Sequence, residues 1–286
     1  MPHLITGTTK LLGVIGDPIS HSLSPVMHNA ALAEMGLDYV YLAFPIKAEQ
    51  LKRAIAGFAA FDLQGFNITI PHKQGIMAEL AEVSPLAQSV GAVNTVWRDG
   101  NQWHGTNTDV AGFIAPLKRL DRDWQNTEVL CLGAGGAARA VVAACGELGC
   151  GKIQVVGRDG TKLQTFLASW EMPNLTVHDW GAIDSLLPTA TLIVNTTPIG
   201  MYPKAEVSPL SNEQAGLIQG GAIAYDLIYV PRPTVFLRQA AGRGAMAIDG
   251  LEMLVQQGAA ALRIWTGVEA VPVGTMMDAL RGRLGI

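Results

Sequence analysis

The sequence predicts an α/β protein of two domains, each built around a mostly parallel sheet. Three observations carry that prediction. The chain has 286 residues, well beyond the ~150 that a single domain commonly holds. Strand patterns alternate with helix patterns from residue 10 onward, and the alternation restarts after the polar, charged segment RLDRDWQNTE at 119–128, as parallel strands joined by crossover helices require. The composition, 49% hydrophobic and 15% charged with 32 glycines, is that of a compact globular chain and not of a disordered or fibrous one.

In chain order, KLLGVIG (10–16) reads as the first strand, followed by a polar loop and the helix SPVMHNAALAEMG. Ser24 is placed at the N-cap of that helix and Pro25 at its first position, where a missing N–H costs nothing. YVYLAFPI (39–46) is a second strand, EQLKRAIAGFAAF (49–61) a second helix and GFNITIPHK (65–73) a third strand. With a period of two, Asn67 and Thr69 share one face of that strand, Ile68 and Ile70 share the other, and Lys73 follows the strand end. A face of neutral hydrogen-bonding groups fits either solvent or the floor of a polar pocket.

An irregular, partly helical connector then runs to Ser89. AVNTVWRDGNQWHG reads as a hairpin turning at Asp99–Gly100, and a helix runs from Asp109 to about Leu120. Beyond the 119–128 boundary come the strand EVLCLG, the helix AARAVVAACGELG, the strand KIQVVGR and further alternation to AIAYDLIY. Two last helices, 251–265 and 273–284, precede no further strand, so they must pack on a layer already made.

Composition also excludes function classes. A net charge of −4, with no basic tract longer than two residues, excludes a nucleic-acid partner, whose phosphates call for a dense Lys/Arg patch. Cys131, Cys145 and Cys150 form no CxxC pair, so neither a disulfide framework nor a zinc site is predicted, and a reducing cytoplasm is the expected compartment. Neither a leader-like N-terminus nor a run of ~20 apolar residues is present, so neither export nor a membrane span is expected.

The strongest local motif is LCLGAGGAARAVV, which spaces Gly133, Gly135 and Ala138 as GxGxxA between a strand and a helix. There the first glycine permits the tight turn, the second lets a pyrophosphate approach the backbone, and the small third residue keeps helix close to sheet. A dinucleotide is therefore expected. Arg158 follows the next strand with Lys162 one helical turn on, and two cations suit a ribose 2′-phosphate, hence NADP. Asp159 would repel that phosphate unless it points away or caps the following helix, and Arg158 taken alone also reads as a solvated surface charge.

In the first half, GDPISHSLSPVMHN gathers Ser20, His21, Ser22 and Ser24 at the C-terminal end of a strand, where α/β sheets bind ligands. Hydroxyls beside a helix N-terminus suit a carboxylate. Capping would explain Ser24 fully but offers no account of Ser22. His21 and His28 are read as loop or core residues in preference to metal ligands. Lys73 also fits an ordinary solvated lysine and Asp109 a helix cap, and spacing alone does not pair them.

Taken together, GDPISHSLSPVMHN, GFNITIPHK, GAVNT, the aspartate of TNTDVAGF, GAGGAARA, NTTPIGM, DLIY and DGLEMLVQQGA occur in the order seen in shikimate dehydrogenases. The chain resembles that family over nearly its whole length. The resemblance implies reversible, NADP-linked conversion of 3-dehydroshikimate to shikimate, a step of aromatic amino-acid biosynthesis, on a small-molecule substrate bound in a cleft between domains. It implies a substrate domain of residues 1–108 plus 250–286, to which the last helices return, and a Rossmann-type NADP domain of residues 109–249. Ser22 and Ser24 match the family's carboxylate ligands, while Asn67, Thr69, Asn94, Tyr229 and Gln257 match positions lining the substrate site. Lys73 and Asp109 match its catalytic pair. Cofactor contacts are implied for Gly133, Ala134, Gly135, Gly136, Ala137, Gly157, Arg158, Lys162, Thr196, Leu227 and Gly250. No metal is implied, and monomer and homodimer both stay open.

The chain departs from the family where Gly157-Arg158-Asp159 replaces the common Asn-Arg-Thr, which bears on the strictness for NADP. Quinate dehydrogenase, often NAD-linked, is the nearest enzymatic alternative; both serines and Arg158 favour shikimate and NADP. A non-enzymatic sensor of a dinucleotide or metabolite would be expected to have lost Lys73 and Asp109, and both are present.

Overall fold

A computed structural model describes residues 4–286. They form two compact units, residues 4–112 together with Leu254–Ile286, and Phe113–Met253. Both divisions fall inside helices, so the polar segment 119–128 belongs wholly to the second unit.

The first unit opens with β1 (Lys10–Gly16), α1 (Ser24–Glu34), β2 (Tyr39–Pro45), α2 (Leu51–Ala60) and β3 (Leu63–Ile68). It continues through β4 (Glu82–Val83), α3 (Pro85–Val90), β5 (Thr95–Asp99) and β6 (Gln102–Thr106) to the start of α4 (Asp109–Leu117). Its six strands lie in the order β2-β1-β3-β5-β6-β4. β1 pairs in parallel with β2 and β3, whereas β3, β5 and β6 pair antiparallel. The register sets Asn67 opposite Thr95, and Thr95 opposite Thr106, so polar side chains of three strands meet at one level of the sheet. The opposite, apolar face packs Phe66, Ile68, Val96 and Trp103 against Ile55 and Phe58 of α2.

Two local expectations change. β3 ends at Ile68, one residue before Thr69, and Ile70 is 60% exposed, so the apolar face of this strand stops at Ile68. The hairpin turns on Gly100 and Asn101, not Asp99–Gly100, because Asp99 still pairs with Gln102. Arg98 secures that choice by donating to the Gly100 carbonyl and to Asn101 Oδ1, and Gly100 accepts a φ of +57°.

In the second unit, β7 (Glu128–Leu132), α5 (Gly136–Leu148), β8 (Lys152–Gly157), α6 (Gly160–Ala168) and β9 (Leu175–Asp179) form one half of the sheet. Then follow α7 (Ile183–Leu186), β10 (Leu192–Asn195), α8 (Asn212–Ala215), β11 (Ile223–Asp226), α9 (Val235–Ala241) and β12 (Met246–Ile248). The sheet order is β12-β11-β10-β7-β8-β9, parallel throughout. The order reverses direction at β7, the switch point beside which doubly wound sheets bind ligands. A core of Leu130, Leu132, Ile193, Ala224, Phe236 and Leu237 fills one face.

α10 (Leu251–Thr266) leaves the second unit after its first turn, and α11 (Val273–Leu284) packs on α1. Gly65 admits this return. A Cβ there would lie 2.2 Å from Trp265 Nε1, which donates to the Val96 carbonyl at 2.8 Å. Among the described residues no helix is long and apolar enough to cross a membrane.

Candidate active site

Lys73 and Asp109, 36 residues apart, are in direct contact: Lys73 Nζ donates to Asp109 Oδ2 at 2.6 Å, with side-chain exposures of 20% and 12%. The short segment after β3 holds the lysine in place. His72 is buried with Nε2 donating to the Ile46 carbonyl at 2.6 Å, and the Lys73 carbonyl accepts from Val93 N–H at 2.8 Å. Asp109 opens α4, but its carboxylate is not spent on that helix. Asn107 Oδ1 accepts the Asp109 N–H at 3.0 Å, and Asp109 Oδ1 accepts from Asn94 Nδ2 at 2.8 Å. The second reading of each residue, a solvated lysine and a helix-capping aspartate, thus gives way to a mostly buried ion pair.

Asn94 stands behind that pair. Its Nδ2 has three acceptors in reach, Asp109 Oδ1 at 2.8 Å, Thr108 Oγ1 at 3.0 Å and Gln257 Oε1 at 3.4 Å, but only two hydrogens to give. The longest of the three, to Gln257, is the one most readily released to another donor. Asn94 Oδ1 accepts from Thr108 N–H at 2.7 Å and from Thr95 Oγ1 at 3.0 Å, which fixes the orientation of the amide.

Asn67 is similarly committed. Both Nδ2 hydrogens are used, on the Asn94 carbonyl at 3.2 Å and Thr95 Oγ1 at 3.0 Å, and Oδ1 accepts from the Tyr41 hydroxyl at 2.7 Å. Toward a ligand it can therefore offer only a remaining lone pair of Oδ1. Thr69 packs its methyl on Gly16, where a Cβ would come within 2.5 Å, and this turns its hydroxyl the other way.

The serine loop differs from expectation. Ser24 is not the cap of α1: Leu23 is the N-cap, in helical conformation, Ser24 is the first helical residue and Pro25 the second. Ser22 instead meets an otherwise orphaned N–H, its Oγ accepting from Ser24 N–H at 3.3 Å. The roles are thus exchanged: Ser22 has a local structural duty, and the buried Ser24 side chain is not spent on capping α1. His28 is a core residue, as read, stacked on Tyr41 with ring centroids 4.1 Å apart. Ser22, Ser24, Asn67, Thr69, Lys73, Asn94, Asp109 and Gln257 all belong to the first unit, while Tyr229 follows β11 in the second.

Sequence reasoning missed Tyr41, His72, Thr95, Asn107 and Thr108, which carry no ligand-like signature of their own. Asn107 and Thr108 sit beside Asp109 in the TNTD stretch, and that neighbourhood was their only signal.

The second unit fits the adenine dinucleotide motif. Gly133 adopts φ +107°, a region that β-carbons disfavour, and an added Cβ would meet Thr196 Oγ1 at 2.9 Å. Thr196 in turn donates to the Leu132 carbonyl at 2.8 Å, pinning the turn from the neighbouring strand. Gly135, the N-cap of α5, and Gly136 have nothing within 4 Å of a notional Cβ. The α5 N-terminus is therefore bare backbone beside open space, as a pyrophosphate requires. Ala134 and Ala137 complete this turn, and Gly157 closes β8, where a Cβ would lie 3.0 Å from Leu163. Leu227 and Gly250 are brought together, since a Cβ on Gly250 would lie 2.1 Å from the Leu227 carbonyl oxygen. Asp226 clamps this corner by accepting from Asn195 Nδ2, Thr234 Oγ1 and Ile228 N–H; burial pushes its carboxyl from 3.8 up to about 6.

Arg158 and Lys162 are both exposed. Asp159 does cap α6, Oδ1 accepting from Lys162 N–H at 3.1 Å, and its Oδ2 lies 3.6 Å from Lys162 Nζ. That backbone hydrogen bond, with the Lys162 charge beside it, lowers the Asp159 carboxyl. Part of the charge of Lys162 is therefore already answered, while Arg158 forms no ion pair among the described residues.

The family model described as the shikimate dehydrogenase substrate binding domain matches residues 14–96, and that of the shikimate 5′-dehydrogenase C-terminal domain matches residues 250–281. A shikimate dehydrogenase (NADP(+)) of Trichormus variabilis is 58% identical over 99% of this chain and 100% of its own length. The crystal structure of shikimate dehydrogenase from Aquifex aeolicus superposes with a TM-score of 0.87 at 38% identity, covering 97% of this chain and 100% of that one. The Thermus thermophilus shikimate 5-dehydrogenase, solved in complex with NADP(H) and shikimate, gives a TM-score of 0.85 at 36% identity, covering 96% and 99%. Given end-to-end identity above half and the same fold, the chain belongs to the NADP(+)-dependent shikimate dehydrogenase family.

Proposed function

We propose that the protein catalyses the reversible, NADPH-linked reduction of 3-dehydroshikimate to shikimate, with Lys73 and Asp109 handling the proton. The observation that carries the assignment of residues is the 2.6 Å contact between Lys73 and Asp109 at the end of a polar-faced strand. The nicotinamide, when bound, supplies or accepts the hydride. In reduction, the Lys73 ammonium donates a proton to the oxygen of the former carbonyl and stabilises the negative charge developing there. In oxidation the pair takes the hydroxyl proton away. Asp109 orients the lysine and is itself held by Asn94.

The ring hydroxyls of shikimate are donors, and the site offers acceptors. Asn67 Oδ1 keeps a lone pair and Gln257 Oε1 is held only loosely by Asn94 at 3.4 Å. The substrate carboxylate falls to the serine loop, where Ser22, although its Oγ accepts from Ser24 N–H, keeps its O–H to donate alongside Ser24. Gly133 to Ala137, with the α5 N-terminus, would hold the pyrophosphate, and Arg158 with Lys162 the 2′-phosphate. Purified protein supplied with shikimate or quinate, each with NADP or NAD and followed at the nicotinamide absorbance, tests the assignment. Turnover is expected to be fastest with shikimate and NADP; preference for quinate with NAD would replace it by the alternative activity.

Cofactor choice rests mainly on Arg158. Arg158→Ala should weaken NADP by ~1.5 to 3 kcal/mol, the worth of a charge-assisted hydrogen bond, and leave NAD nearly unchanged. Lys162→Ala should cost less, because Asp159 already neutralises part of that charge. Cofactor titrations by fluorescence check both, and equal losses for NADP and NAD would give Arg158 a purely structural role.

A further inference from the structure

The Tyr41 hydroxyl lies behind Asn67, one of the residues assigned to the substrate site. Tyr41 is fully buried on β2 and donates to Asn67 Oδ1 at 2.7 Å. The His28 ring of α1 stacks flat on the phenol ring, 4.1 Å between centroids and 11° between planes. Trp265 of α10 lies against both rings, 5.9 Å from the phenol and 5.6 Å from the imidazole.

An aromatic side chain gripped in this way has little freedom, so its hydroxyl is a fixed point. That fixed point holds the Asn67 oxygen in place. The Asn94 carbonyl, which can only accept, fixes which way the amide faces by taking an Nδ2 hydrogen, and the Tyr41 hydroxyl, donating to Oδ1, restrains where that oxygen sits.

We propose that Tyr41 is a positioning residue for the substrate: by donating to Asn67 Oδ1 it holds that oxygen in place as a hydrogen-bond acceptor for a ring hydroxyl. The proposal rests on the shikimate dehydrogenase reading of the site. Tyr41 touches no reacting atom, so its removal weakens substrate binding and leaves the proton transfer intact.

Tyr41→Phe keeps the stack on His28 and deletes only the oxygen. The KM for shikimate should rise about 10-fold, as loss of one buried hydrogen bond and its alignment predicts, with kcat changed less than about 3-fold and NADP affinity unchanged. In an Asn67→Ala background the same substitution should alter KM less than about 2-fold, because Tyr41 acts through Asn67. Tyr41→Met, which also lacks the hydroxyl, serves if the phenylalanine variant does not fold. A folded, NADP-binding Tyr41→Phe protein with unchanged KM would overturn the proposal, as would an equal rise in KM with and without Asn67. A wild-type protein inactive on shikimate and NADP would instead remove the underlying reading, and it is distinguished because it appears in the control.

Discussion

Lys73→Ala should lower kcat for shikimate oxidation at least ~100-fold, in line with the usual contribution of a positioned acid or base, and change KM less. The asymmetry follows from the geometry. Lys73 Nζ is 2.6 Å from Asp109 Oδ2 at the end of β3, whereas the acceptors assigned to the ring hydroxyls, Asn67 and Gln257, make no contact with Lys73 in the hydrogen-bond network. The variant should also be less stable, because a carboxylate only 12% exposed loses its cation and keeps Asn94 as its hydrogen-bond donor. Steady-state kinetics at saturating NADP check the first effect and urea unfolding the second. Near-normal kcat in the variant would remove Lys73 from the chemistry.

The second large effect is on stability against pH, and it comes from His28. Its ring is fully buried against Tyr41 and Trp265, and neither ring nitrogen has a hydrogen-bond partner among the described residues. Burial pushes its pKa from 6.5 down to about 3. The unfolded chain therefore takes up a proton below 6.5 that the folded chain refuses until near 3. Stability from this residue is full above pH 6.5 and is lost progressively as pH falls toward 3, roughly 5 kcal/mol over the whole window and about 2 kcal/mol between pH 7 and pH 5. Asp226 has the opposite sign. Its carboxyl is raised from 3.8 to about 6 by burial, so the folded state holds a proton more readily and stability from it falls as pH rises through that interval. The two partly cancel in the wild type, which is why the comparison must be with His28→Phe. Unfolding free energies at pH 7 and pH 5 should show the wild type losing about 2 kcal/mol more than the variant over that interval. Parallel behaviour of the two proteins would mean that His28 is hydrated or partnered in solution.

The parts of the fold legible in the sequence were those with a local physical cause. β1 is read to the residue from an apolar run between polar loops, and GxGxxA marks the turn into α5 because only a small residue fits where Gly133 has φ +107°. The misread elements have non-local causes. Ser24 looks like a cap, yet Ser22 reaches forward to the first helical N–H and α1 begins one position early. The Asp-Gly pair is a common turn signal, and Arg98 moves the turn on by one residue through contacts with Gly100 and Asn101. Lys73 and Asp109 were individually visible, but the fold brings them together across 36 residues, which spacing does not reveal. Nothing in the sequence singles out Tyr41. Its hydroxyl matters because the register brings Asn67, 26 residues later in the chain, within 2.7 Å.

The central claim is that Lys73 and Asp109 act as one device. A double-mutant cycle on kcat with shikimate and NADP, using Lys73→Ala, Asp109→Ala and the double variant, tests it most directly. The account predicts that the double variant is about as slow as the slower single one, because either change alone disables the pair. Losses that multiply, each substitution lowering kcat by the same factor whether or not the other is present, would show two independent residues and contradict it.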